Sequence, residues 1–177
     1  DRMLVMFLSF LIIIVFWGAF EQAGGLMSLY TEQKTNRILS FSLPFIGNEI
    51  PAAVFQSVNA FFIIVLGTSV GGFWHKWKNK GKESSSLFKM AIGVIIMAFG
   101  FFFMSKAASE VLMSGTEVAE KSAMIWLILA YLFHTIGELC ASPVALSFMT
   151  KLAPIKYASF MMLSLIHISE PTRLTMI

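Results

Sequence analysis

The chain is 177 residues long, 57% hydrophobic and only 13% charged, with a formal net charge of +3 and a mean hydropathy of +0.78. A soluble domain carries roughly 25% charged residues, so this chain cannot cover its apolar surface in water and the bilayer is its natural solvent. The net charge is too small and its basic residues too clustered for nucleic acid, and the single cysteine, Cys140, excludes an internal disulfide and reads as a small apolar packing residue.

The chain opens on Asp1 and Arg2 without an initiator methionine. Its first apolar run is too long for a signal-peptide core and three more follow, so the start reads as internal to a longer protein. Roughly 20 apolar residues cross a bilayer as a helix. The first span is predicted over about 3–30, followed by a polar loop with Thr31, Glu32, Lys34 and Arg37, and by Pro44 and Pro51 as breakers. The second span covers about 52–74 and leads into His75, Lys76, Trp77, Lys78, Asn79, Lys80, Gly81 and Lys82. The third covers about 87–108, then an acidic loop runs over 109–122. The fourth covers about 123–149 and stops before Lys151, Pro154 and Lys156. The fold class expected is an all-α membrane protein with four transmembrane helices and no soluble domain.

Basic residues set the orientation of such helices. The connection 75–86 holds four lysines within seven residues, which places it in the cytoplasm. Arg2, Lys151 and Lys156 then fall on the same side, and the loop with Glu110, Glu117 and Glu120 on the other. Lys34 and Arg37 count against this orientation.

Polar groups inside the apolar spans are the informative positions, because an ionisable side chain at mid-bilayer costs about 2.5–3.5 kcal/mol and normally faces a cavity or a partner. Glu21 lies in the first span with Gln22 beside it, and Glu138 near the middle of the fourth. His134, Glu138 and Ser142 follow at i, i+4 and i+8 on one helix face, with Tyr131 one turn before and Pro143 expected to bend the helix just after. Gln56 and Asn59 share a face of the second span at i, i+3. Turned inward, these stripes line a polar path at bilayer depth. A carboxylate there whose surroundings alternate between two states takes up and releases a proton, as a proton-coupled carrier requires. Bland readings stand beside these. Glu21 and Glu138 also suit static ion pairs with basic residues on other helices, and Gln56 and Asn59 suit plain interhelical hydrogen bonds. His134 reads more simply as a hydrogen-bonding helix residue than as a ligand. Gly18, Gly24 and Gly25 read as sites of close helix approach, and the abundant Phe and Met as lipid-facing or core filler.

Three stretches carry a resemblance: Phe20-Glu21-Gln22-Ala23-Gly24, Phe55-Gln56-Ser57-Val58-Asn59, and Gly137-Glu138-Leu139 through Ser142-Pro143-Val144 to Thr150-Lys151-Leu152-Ala153-Pro154. Together they resemble the proton-dependent oligopeptide transporter family of the major facilitator superfamily, over about 3–162. They look like its helices seven, eight and ten, so the four spans resemble helices 7–10 of a major facilitator fold, part of its C-terminal half. The superfamily topology brings helix seven in from the cytoplasm, in agreement with the lysines. The resemblance implies a proton-coupled di- or tripeptide symporter of a bacterial inner membrane, working by alternating access. It needs no cofactor beyond the proton gradient, and its partners are short peptides, protons, the lipid bilayer and the missing helices of the same protein. It implies that Glu21 couples to protons through an ion pair with a lysine of the N-terminal half. Asn59 and Glu138 then meet the peptide's amino end. Ala60 stands where many members have proline, and Ala145 where many have glycine.

The rival readings are a major-facilitator carrier of another substrate, an intramembrane enzyme and a purely structural subunit. The enzyme would pair His134 with Glu138 or Ser142, but the chain has neither His-Glu-x-x-His nor Gly-x-Ser-x-Gly, and an i, i+4 pair alone supplies too few metal ligands. Residues 163–177 are out of character for a membrane loop. Leu163 to Arg173 reads as one translated frame of an adapter used in transposase-based DNA library preparation, so this tail is expected to be non-native and to carry no functional residue.

Overall fold

The structure is a computed structural model that describes residues 2–43, 47–81, 85–114, 117–152, 159, 160 and 163. The expected tail, apart from Leu163, therefore lies outside the described residues, as do Pro44, Pro154 and Lys156. Among the described residues four helical segments are long and apolar enough to cross a membrane: Phe7–Lys34, Ala52–Asn79, Ser86–Glu110 and Met124–Phe148.

The first span is broken in two. Helix α1 (Arg2–Phe20) passes through a short 3-10 turn, Glu21–Ala23, into α2 (Leu26–Lys34). The cause is local: the Gly24 and Gly25 N–H groups both donate to the Glu21 carbonyl, at 3.1 and 3.3 Å, where two glycines weaken helix propagation. The polar residues expected in the following loop are still helical as far as Lys34. Buried Thr31 satisfies its hydroxyl within the helix, donating to the Met27 carbonyl at 2.6 Å.

Helix α3 (Ala52–Asn79) starts after Pro51 and runs five residues past the expected end. Lys76 and Lys78 sit in its last turn, where cations complement the helix dipole. Gly81, at φ +70°, then takes the left-handed conformation that closes a helix. Helix α4 (Ser86–Glu110) is capped by Ser85, whose hydroxyl accepts from the Phe88 N–H at 3.2 Å. Helix α5 (Met124–Leu152) runs through Pro143. The Glu110 carboxylate holds its start, accepting from the Ala123 N–H at 3.1 Å and the Trp126 indole at 2.6 Å.

Two antiparallel hairpins, not foreseen from the sequence, occupy the loops: β1 (Ile38–Leu43) with β2 (Gly47–Glu49), and β3 (Leu112–Ser114) with β4 (Glu117–Glu120). Arg37 pins the first, pairing with Glu49 at 2.8 Å and donating to the Ile50 carbonyl at 2.6 Å. A parallel bridge between Thr35 and Ser122 joins the end of α2 to the approach to α5. Tyr30 strengthens that joint by donating to the Ser122 hydroxyl at 3.0 Å. Both hairpins therefore lie at one end of the bundle, opposite the lysine-bearing turn between α3 and α4.

Helix α5 is the hub. Its Leu127, Ala130 and Tyr131 pack with Met27 and Phe55, its Ala141 with Phe16 and Met97, and its Ala145 with Ile13 and Met90. The α4–α5 pair is the tightest, because three glycines let the backbones touch. A Cβ built on Gly137 would lie 2.7 Å from the Gly93 carbonyl oxygen, and one on Gly93 2.8 Å from that of Gly137. A Cβ on Gly100 would lie 2.4 Å from the His134 ring. Such small-residue contacts are how helices associate where lipid removes the hydrophobic drive. Among the described residues Gly18 has nothing within 4 Å of a built Cβ, and Gly24 and Gly25 meet the Glu21 carbonyl. Exposed Phe61, Ile64, Ile95, Phe99 and Phe102 clothe the outer faces, as suits lipid contact.

Candidate functional site

Hydrogen bonds inside the apolar layer converge on one place. Asn59 of α3 reaches across to α5, where its amide N–H donates to a Glu138 carboxylate oxygen at 3.3 Å. The single hydroxyl proton of Thr135 is shared between that amide's oxygen, at 2.5 Å, and the Tyr131 carbonyl, at 2.8 Å. Thr135 is fully buried and Glu138 half-buried. One turn earlier, the Tyr131 hydroxyl donates to the Ala23 carbonyl at 3.2 Å, at the end of the 3-10 turn that Glu21 begins. The stripe Tyr131, Thr135, Glu138 thus ties α5 both to α3 and to the break in the first span.

A carboxylate offers about four lone-pair positions. Among the described residues Glu138 has one donor and no cation, so it retains acceptor capacity for a positively charged group. The half-buried Glu21 side chain has no hydrogen bond or ion pair among the described residues.

The other candidates fall elsewhere. Gln56 is exposed and donates to Ser28 of α2 at 3.3 Å, so Gln56 and Asn59 reach different helices despite their shared face. Gln22 donates to the Gly18 carbonyl at 3.3 Å and lines a groove with Tyr30, Phe101 and Met104. Ser142 faces an apolar cleft with Ile13, Phe16, Trp17 and Met90. His134 is buried against Gly100 and the Phe101 ring, whose centroid is 4.8 Å away, with neither ring nitrogen hydrogen-bonded among the described residues. The expected hydrogen-bonding role of His134 has no partner there.

Thr135 is the residue that sequence reasoning missed. It precedes Glu138 by three positions, so the two share a face within one turn. The i, i+4 row through His134 passed over it: that row starts against α4 at His134, and its next member, Glu138, meets the same Asn59 of α3 that Thr135 meets. Among the described residues no three His, Cys, Asp or Glu side chains gather closely enough to hold a metal ion.

Apolar helices of spanning length, wrapped round a hydrogen-bonded polar cluster, define an integral membrane protein. Residues 1–171 match the model of the POT family. The chain belongs to that family. It is 39% identical over 153 residues to the peptide transporter YePEPT of Yersinia enterocolitica, covering 86% of this chain and 28% of that protein. It is 30% identical over 154 residues to a di-/tripeptide transporter of Lactococcus lactis subsp. lactis, covering 86% and 29%. Among solved structures, a peptide transporter POT in complex with sulfate superposes with a TM-score of 0.80 at 28% identity, over 95% of this chain and 31% of that one. A POT family transporter in complex with 5-aminolevulinic acid superposes at 0.75 with 25% identity. The chain spans less than a third of the length of these relatives.

Proposed function

We propose that this chain is most of the C-terminal half of a proton-coupled symporter for di- and tripeptides in a bacterial inner membrane. The observation that carries the reading is the Asn59–Glu138 hydrogen bond, which holds a carboxylate with spare acceptor capacity between α3 and α5 inside the apolar layer. Family membership and the printed names of the relatives supply the substrate class.

In this reading Glu138 and Asn59 receive the peptide's ammonium group and Thr135 holds Asn59 in place. Gln56 and Ser142 bound the wider substrate path, with Gln22, Tyr131 and His134 along it. Glu21, next to the break between α1 and α2, carries the proton. The driving force is the proton gradient, without a cofactor. Alternating access then moves this half against the N-terminal six helices of the whole protein. The broken first span supplies a place for such movement to be absorbed.

Proton coupling has a direct test in the full-length protein. Glu21→Gln is expected to abolish proton-driven uptake while sparing counterflow exchange of labelled dipeptide, which needs no net proton movement. Equal loss of both activities assigns Glu21 to binding or folding instead.

The lysine turn is placed in the cytoplasm, and the hairpin end outside. Single cysteines at Lys80 and at Glu120, in a background where Cys140 is replaced, are then expected to react with impermeant maleimide from opposite faces. Reaction of both from the periplasmic side reverses or breaks the assigned topology.

A further inference from the structure

The lysine end of the bundle carries a groove separate from the Asn59–Glu138 cluster. Between α3 and α4, with α5 as its floor, runs an open groove with an empty volume of about 820 Å³. Val70, Phe73 and Trp77 line one wall, Ile92 and Ile96 the other, and Ile136 the floor. Phe73 is 52% exposed, although it sits on an otherwise apolar helix face. Three lysines lie within one helical turn of lining residues in the chain. Lys76 and Lys80 are exposed at the end of α3, and Lys89 of α4 lies with its ammonium 5.1 Å from the centre of the Trp74 ring. No acidic residue occurs among the described residues of this mouth, 74–81 and 85–92.

The dimensions select the occupant. The lining spans Ser69 to Trp77 on α3 and Phe88 to Ile96 on α4, about 12 Å at 1.5 Å per residue. One leaflet of hydrocarbon is about 15 Å deep. A further helix of the same protein needs a seat along the whole bilayer, about 30 Å, whereas an acyl chain needs only this depth. Tryptophans at the mouth mark the level of the headgroups, and clustered lysines favour an anionic headgroup there.

We propose that this groove binds an anionic phospholipid of the adjacent leaflet. One acyl chain lies between α3 and α4, and the phosphate is held by Lys76, Lys80 and Lys89. The site belongs to the leaflet at the lysine end, whichever compartment that end faces, so it stands independently of the transport reading. It would fix α3 against α4, which already meet where Lys89 lies over the Trp74 ring.

The full-length protein, purified in mild detergent, is titrated with phosphatidylglycerol or phosphatidylethanolamine of identical chains and read by native mass spectrometry. Phosphatidylglycerol is expected to bind at least tenfold more tightly. Each lysine at a membrane surface contributes about fivefold, so Lys76→Gln with Lys80→Gln and Lys89→Gln is expected to erase the preference. Ile92→Trp, which fills the groove and leaves the lysines in place, is expected to reduce retention of both lipids. Equal affinity for the two lipids in the unaltered protein overturns the proposal, and so does a groove covered by the protein's other helices, which shows as no retained lipid. Undiminished phosphatidylglycerol binding in a monodisperse Ile92→Trp protein overturns it too, because the lipid then rests on the lysines alone. Should Ile92→Trp not fold, Ile96→Phe reads the same wall.

Discussion

Glu138→Gln is expected to weaken binding of free-amino dipeptides by thirtyfold or more while leaving N-acetylated dipeptides within a few-fold of their original affinity. The substitution keeps the shape, and a Gln side-chain oxygen still accepts from the Asn59 amide, which now sits 3.3 Å from the carboxylate. What it removes is the negative charge at half-buried depth. Truncating one partner of a buried, hydrogen-bonded charge pair costs about 2–5 kcal/mol, and about 1.4 kcal/mol is tenfold in affinity. An acetylated peptide brings no ammonium group and loses nothing of that pairing. Isothermal titration or scintillation proximity on the full-length protein reads both ligands. Equal loss for the two peptide types removes Glu138 from the amino-end role. Coupling between Glu138 and Glu21 is separated by measuring both substitutions over pH, since interacting carboxylates titrate as a pair.

Gly137→Ala is expected to destabilise the protein by about 1–3 kcal/mol, the range for overpacking a tight contact. The added methyl would meet the Gly93 carbonyl oxygen at 2.7 Å and the Met97 Cβ at 3.1 Å. Both groups are fixed to the α4 backbone, so α4 must move away from α5. Gly137 immediately precedes Glu138, so the displacement reaches the polar cluster. Gly71→Ala in α3 is the contrast: nothing lies within 4 Å of the Cβ position, and alanine is the better helix former by about 1 kcal/mol. Thermal unfolding followed by fluorescence size exclusion compares the pair. A midpoint for Gly137→Ala at or above that of Gly71→Ala contradicts the backbone contact drawn here.

These two results probe different layers of what can be read without coordinates. The spans were legible because each is a long apolar run, and burial in lipid needs no knowledge of neighbours. The orientation expected from lysines such as Lys76 and Lys80 rests on their count rather than their contacts. Glu21 and Glu138 stood out because a carboxylate in hydrocarbon is costly wherever it points. Asn59 stood out for its polarity and for its place in a motif that resembles the family, a membership that the match over residues 1–171 shows.

Position on one helix, by contrast, does not tell which neighbour a face meets. His134 and Glu138 share a row, yet one packs against Gly100 and Phe101 and the other bonds to Asn59, because α5 is surrounded and a drift of some tens of degrees changes its partner. Gln56 and Asn59 separate for the same reason, toward α2 and α5. The hairpins escaped notice because strands of three to six residues leave no periodicity, and the Thr35–Ser122 bridge joins residues far apart in the chain. The glycines at the α4–α5 contact went unnamed because closeness of two backbones is a property of the pair: Gly93, Gly100 and Gly137 carry no sign in the sequence that distinguishes them from Gly18. The solvent, the four apolar crossings and the carboxylates within them each depend on one chain segment and the bilayer, and so can be read along the chain. Which helices touch, that Thr135 completes the cluster, and where a groove opens between α3 and α4 each depend on two segments meeting.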